Sequence, residues 1–245
     1  MTATAVKQQV LELGGAFMMS REARAFGETT GLPGFYPGYT RGRGGVLGEV
    51  DADVVTAAFG FFAPDCVRPA WESVAMPAAE AAAGYLGACH DFGRRRLAGF
   101  DQSERLAELL GRVVAAAPTP GLSLFAGWRA MPLPTDPRAA VLQLTHVLRE
   151  LRGGLHLMAV LAEGLTPLQA ILIAGSPAAD GPTQAQRLGW LEPFEPITEE
   201  HRTRWAAAEK LTDELIEPCF EVLDEAERAE LVTLMTEAHR VALTR

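Results

Sequence analysis

Between Arg138 and Ala162 the sequence is mostly apolar, broken by Thr145, Arg149, Arg152 and His156. These four recur at i, i+4, i+7 and i+11, which on an α-helix gathers them within an arc of about 60°. A helix this apolar has to be buried, and a polar stripe on a buried helix needs partners or a ligand. A long central helix wrapped by others is therefore the first constraint on the fold.

The rest of the chain reads the same way. Helical patterning is expected over 5–19, from an N-cap at Ser20, from Asp51 or Asp53 to Phe59, up to Trp71, and over 76–90 and 101–116. Further helices are expected after Thr166-Pro167 and near 183–189, 199–216 and 224–243. Pro64 is expected to interrupt, the Gly- and Pro-dense stretch 31–48 to form loops or turns, and the proline-rich stretch 117–137 to be an ordered connector. No alternation of period two and no βαβ pattern is visible. The fold class is all-α, a multi-helix bundle around a central buried helix at about 138–162. The connector divides the chain into parts 1–134 and 135–245 that are expected to share a core, with a single domain as the alternative.

Composition narrows the function classes. Lys and Arg number 22 against 31 acids, a formal net charge of −9 that opposes a phosphate backbone. No stretch of 18 apolar residues suggests a membrane span, and the N-terminus lacks the pattern of a secretory signal. Cys66, Cys89 and Cys219 are widely spaced, without a CxxC pair, so a reducing cytoplasm is the expected setting. His146 and Glu150 form an i, i+4 pair but supply too few ligands for a metal. No cofactor motif stands out, and GRGG at 42–45 lacks the rest of a phosphate loop. Neither a metal nor a cofactor is expected.

The second constellation is Phe35-Tyr36-Pro37-Gly38-Tyr39-Thr40-Arg41-Gly42-Arg43. Its aromatic and guanidinium groups are suited to clamping a planar or anionic ligand, or else to covering the core with the arginines in water. For the helical stripe the alternatives are an ion-pair network and an anion site, with His156 available for proton transfer near neutrality. The ligand reading names Tyr36, Tyr39, Arg43, Phe62, Thr145, Arg149 and Arg152 as binding residues and His156 as the catalytic one. Gly153-Gly154 inside the helix signals close packing or a kink beside a site. Alternating charge and leucine in DELIEPCFEVLDEAERAEL suggests amphipathic helices and a dimer seam, so a homodimer is the expected state.

Several segments resemble an actinobacterial family of helical proteins of helix-turn-helix or MarR-like type. They are REARAFGETTGLPGFYPGYTRGRGGVLG, VVTAAFGFFAPDCVRPAW, LRELRGGLHLMAVLAEGLTPLQA and AQRLGW, and the strongest block is 148–156. The resemblance implies a helical N-terminal part followed by a winged-helix-like region. Family members tend to carry a histidine near the position of Gly14 and an Asn-Phe-His-Pro-like turn where this chain has Phe61-Phe62-Ala63-Pro64. After Leu188-Gly189-Trp190 they continue into a recognition helix and a wing. Here Leu191-Glu192-Pro193-Phe194-Glu195-Pro196 intervenes, and from Thr198 to Asp224 only Arg202, Arg204 and Lys210 face eight acids. The winged-helix-like part is thus degenerate, and nucleic acid is not the expected partner.

Three readings remain open from the sequence. One is a small-molecule-binding protein, including a cofactor-independent isomerase, cyclase or lyase of secondary metabolism acting on an anionic or polyketide-like substrate. The others are a ligand-responsive transcriptional regulator and a non-catalytic partner in a biosynthetic complex.

Overall fold

The computed structural model describes residues 1–244. In chain order the helices are α1 (Thr2–Ala16), α2 (Arg21–Thr29), α3 (Tyr36–Gly44), α4 (Ala52–Phe59), α5 (Pro64–Glu72), α6 (Ala78–Arg96) and α7 (Ser103–Ala116). They continue with α8 (Ser123–Ala130), α9 (Pro137–Ala162), α10 (Pro167–Ala174), α11 (Gly181–Arg187), α12 (Glu199–Ile216) and α13 (Glu225–Leu243). Short 3-10 segments follow α1, α3 and α12. Among the described residues there is no strand, only an isolated bridge between Ser176 and Ala179.

The apolar segment is the axis of the molecule. Asp136 caps α9 by accepting from the backbone N–H groups of Arg138 and Ala139, and Pro137 stands in the first turn, where no hydrogen bond is lost. Gly164, at φ +74°, closes the far end. Around this axis pack α1, α6, α7, α8 and α12. Leu142, Leu151 and Trp128 are sealed from solvent, and each such side chain contributes about 1.5–3 kcal/mol of burial. The main core draws on α1 through α9 and on α13, so it crosses the proline-rich connector. A smaller cluster of Ala159, Val160, Leu165, Ala170 and Ala208, flanked by Phe61 and Trp205, sits under the C-terminal end of α9.

Two local expectations are corrected. The stretch 31–48 is not all loop, because it contains α3. Gly31, Gly34 and Gly48 do serve turns at positive φ, but glycines within and just after α3 serve close packing: a Cβ on Gly42 would lie 2.8 Å from both Phe26 and Tyr85, and one on Gly45 2.2 Å from the Ala78 carbonyl. Within 117–137, residues 123–130 form α8, since the prolines flank that helix instead of interrupting it. As expected, the chain breaks after Phe59 and a short helix then runs past Trp71, with Pro64 in its first turn.

The C-terminal part opens with a pair of short helices and then departs from regular structure. α10 and α11 pack tightly, with the Gly181 Cα so near that a Cβ there would fall 2.0 Å from the Leu172 carbonyl. Residues 189–198 then form no helix, and α12 packs along α9. The α4–α5 turn is tied to the end of α11: Ala63 N–H donates to the Leu188 carbonyl at 2.9 Å and Trp190 Nε1–H to the Phe61 carbonyl at 2.9 Å.

Candidate functional site

Midway along α9, α3 brings Arg43 against Glu150. Arg43 Nε and Nη2 donate to the two carboxylate oxygens at 2.8 Å each, a bidentate pair with both partners buried. Burial pushes the Glu150 carboxyl up, but Arg43, with His146 and Arg149 behind it, holds it down to about 2. The third guanidinium nitrogen, Nη1, makes no hydrogen bond among the described residues, and the guanidinium lies 4.5 Å from the centre of the Phe59 ring.

Behind this pair lies a set of polar atoms with no partner. Among the described residues, Tyr85 Oη, Trp128 Nε1, both ring nitrogens of His146 and Arg149 Nε are buried without a hydrogen bond of good geometry, although the Gly14 backbone approaches His146. The rings are neighbours: Trp128 to His146 is 5.0 Å, Tyr85 to Trp128 5.8 Å and Tyr85 to His146 6.2 Å. His146 Nε2 lies 4.0 Å and Arg149 Nη1 3.8 Å from Glu150 Oε1. A buried unsatisfied group costs about 1–3 kcal/mol, so five such atoms around one carboxylate are not an ordinary core. Nearly all of them are donors. Desolvation pushes His146 down to about 4, leaving it neutral at pH 7. Two guanidinium groups and one carboxylate then give the centre a net charge of one positive unit. An acceptor-rich anion is the complementary ligand, and the neutral imidazole is a base with an unshared lone pair.

Two cavities border the centre, one lined by Arg43 and Glu150 and the other by Tyr39 and Tyr85. A cleft of about 570 Å³ between α4, α8 and α9 has Arg43 and Glu150 among its lining residues, with Phe59, Phe61, Leu124, Leu157 and Met158 supplying apolar surface. Gly153 and Gly154 also line it. A second cavity of about 440 Å³, under the α2–α3 connection, is lined by Met18, Phe26, Phe35, Tyr39 and Tyr85, with Arg24 and Glu28 among its polar groups.

The residues singled out in the sequence separate into three places. Arg43 and Arg149 belong to the centre, and Tyr39 stands at its edge, 5.9 Å from the Arg43 guanidinium. Arg149 runs over α1, where a Cβ on Gly15 would lie 3.0 Å from its Nε. Thr145 is sealed and turns its hydroxyl back to the Val141 carbonyl at 2.7 Å, beside the crossing of α1 at Gly14. A Cβ on Gly14 would lie 2.7 Å from the Thr145 carbonyl, so this crossing has no room for the histidine that the resemblance places nearby. Tyr36 packs edge-on against Phe35, and Phe62 lies between Tyr39 and Phe59. Neither lines the two cavities.

Arg152 and His156 face α12 instead. Arg152 Nη2 reaches Glu209 at 3.2 Å and Asp213 at 3.6 Å, and Lys7 from α1 joins the same two acids. His156 Nδ1 donates to Thr212 Oγ1 at 3.0 Å, because that hydroxyl spends its own proton on the Ala208 carbonyl. The imidazole stacks on Phe61 and meets the edge of Trp205. Burial holds it down to about 4 despite Glu209. The stripe therefore does not line one cavity with the tyrosine segment. An α-helix this long, enclosed by α1 on one flank and α12 on another, splits a 60° stripe between two neighbours.

Tyr85 and Trp128 were not legible as site residues, since isolated aromatics read as core. Glu150 carried a signal: a carboxylate on a helix otherwise destined for the interior requires a cation, and Arg43 is that cation. Among the described residues no group of three or more His, Cys, Asp or Glu side chains is placed to hold a metal ion. No single helix is long and apolar enough to cross a membrane.

The model of a helix-turn-helix family matches residues 3–245. No curated protein and no solved structure matches the chain. With the match spanning nearly every residue, the chain belongs to that helix-turn-helix family.

Proposed function

We propose that this protein binds an apolar small molecule bearing a carboxylate or similar anion, seated in the α4–α8–α9 cleft with its charged end on Arg43. The observation that carries this reading is the half-used guanidinium: one edge is fixed by Glu150, and Nη1 is left at an apolar cleft. The net positive charge of the centre supports an anion over a neutral ligand. Native mass spectrometry of the protein purified from its own host tests it. A co-purifying organic acid that is lost in Arg43→Lys supports the reading, since lysine keeps a charge for Glu150 but not the fork. A bound molecule retained at full occupancy in that variant, or one with no anionic group, counts against it.

A second reading, ligand-responsive regulation of transcription, is favoured by the family membership and by the α10–α11 pair. Phe61 offers a route from ligand to that pair: it lines the cleft, stacks on His156 and accepts the Trp190 hydrogen bond. Against it stand the extended 189–198 segment and the acids that open α12, where Glu199 and Glu200 occupy the first turn. Major-groove reading needs a helix with basic and polar side chains at that place. We expect no sequence-specific duplex binding at physiological salt. A salt-sensitive, nanomolar footprint upstream of its own gene would favour the regulator.

A further inference from the structure

We infer that the cleft and the α2–α3 cavity are two ends of one site for an elongated apolar acid, and that Tyr39 is the partition that limits how long a chain it accepts. This rests on the cleft being a ligand site, as proposed above. Tyr39 lines the cavity and its ring also approaches residues of the cleft. Its ring lies 6.3 Å from Tyr85 in the cavity, and 6.0 Å from Phe59 and 5.9 Å from the Arg43 guanidinium, both in the cleft. The wall between the two spaces is thus built from the Tyr39 ring with Phe62 and Phe59 beside it, and Tyr39 is the member that faces the cavity.

The ring is backed by Phe35, stacked on it at 4.8 Å with an interplanar angle of 23°. Phe35 is 40% exposed and follows the non-helical stretch with Gly31 and Gly34 at positive φ, so the backing comes from a loop. Tyr39 also stands one helical turn before Arg43 on α3. A ligand anchored by its carboxylate on Arg43 therefore has its first methylenes beside this ring. Apolar side chains supply most of the lining of both spaces, as an alkyl or aryl chain requires. Together they approach the upper end of the roughly 300–1,000 Å³ that ligand sites span. With Tyr39 in place the chain has only the cleft, whose lining includes the partly exposed Val54 and Leu161.

The test is a calorimetric series of straight-chain carboxylates from hexanoate to hexadecanoate against the wild type, Tyr39→Phe, Tyr39→Ala and Tyr39→Leu. In wild type and Tyr39→Phe, affinity should rise by about fourfold per methylene and then level off once the cleft is filled. In Tyr39→Ala, and in Tyr39→Leu should the alanine variant lose its fold, the rise should continue for several further methylenes. A plateau at the same chain length in a folded Tyr39→Ala or Tyr39→Leu protein would overturn the partition while leaving the cleft as a site. Failure of every acid to bind the wild type would overturn both.

Discussion

Replacing Gly153 by alanine should stabilise the protein while narrowing its binding cleft. Glycine inside a helix costs about 1 kcal/mol relative to alanine. Gly153 and Gly154 stand side by side in α9, yet their surroundings differ. A Cβ on Gly153 meets nothing within 4 Å, because that face looks into the cleft. A Cβ on Gly154 would lie 2.5 Å from Leu122 Cδ2, and Leu122 is itself buried. The gain at 153 is therefore unopposed, and for a chain of this size about 1 kcal/mol raises the melting temperature by about 2–4 °C. At 154 the same gain is offset by displacement of Leu122, with overpacking costing about 1–3 kcal/mol. Thermal melts of the two single variants at pH 7, followed by circular dichroism, decide the matter. If Gly153→Ala melts at or below the wild type, or if Gly154→Ala is the more stable of the two, the assignment of one glycine to an open cleft and the other to a helix contact is wrong.

Other perturbations probe the buried charges. His146 and His156 are each held down to about 4, against 6.5 for an unburied histidine. Their folded forms are thus stabilised as neutral rings. That contribution is complete above pH 6.5 and is lost as pH falls through 4, by up to about 3 kcal/mol for each ring. Urea midpoints measured between pH 7 and 4 should fall, and His146→Leu should flatten part of the slope; an unchanged slope would contradict the burial of a neutral imidazole. Glu150 titrates in a lower window, its stabilisation present above about 4.5 and lost toward 2. Glu150→Gln at pH 7 should cost about 3–5 kcal/mol by stranding Arg43, and Arg43→Met/Glu150→Leu together should recover most of it. A double-variant loss equal to the sum of the losses in Glu150→Leu and Arg43→Met alone, compared by urea unfolding, would show that the two residues are not energetically coupled.

Much of the fold was legible because its signals are local. Ser20 caps α2 through the Ala23 N–H, Thr166 and Gln169 form a capping box on α10, and α12 begins after Thr198. The all-helical class followed from apolar periodicity that no strand pattern contested. α3 was not legible, because glycines selected for contact with Phe26, Tyr85 and Ala78 look in sequence like glycines selected for turns. Only the tertiary contact distinguishes them. The site was legible in part for a related reason. A stripe on a helix names the side chains that share an angle, but not which neighbouring helix each one meets. Arg149 meets the α1 glycines, and Arg152 and His156 meet Glu209, Asp213 and Thr212 on α12. The partner of Glu150 lies 107 residues upstream, beyond any window of periodicity.

The most direct test of the central claim is an isothermal titration of decanoate into the wild type and into Gly153→Leu at pH 7. The leucine side chain would enter the cleft from a position where a Cβ meets nothing within 4 Å, and its melting temperature should match or exceed that of the wild type. The account predicts saturable, single-site binding to the wild type and its loss in this folded variant. Binding of equal strength to both proteins would place the ligand elsewhere, and no binding to the wild type would remove the case for an anion site at Arg43.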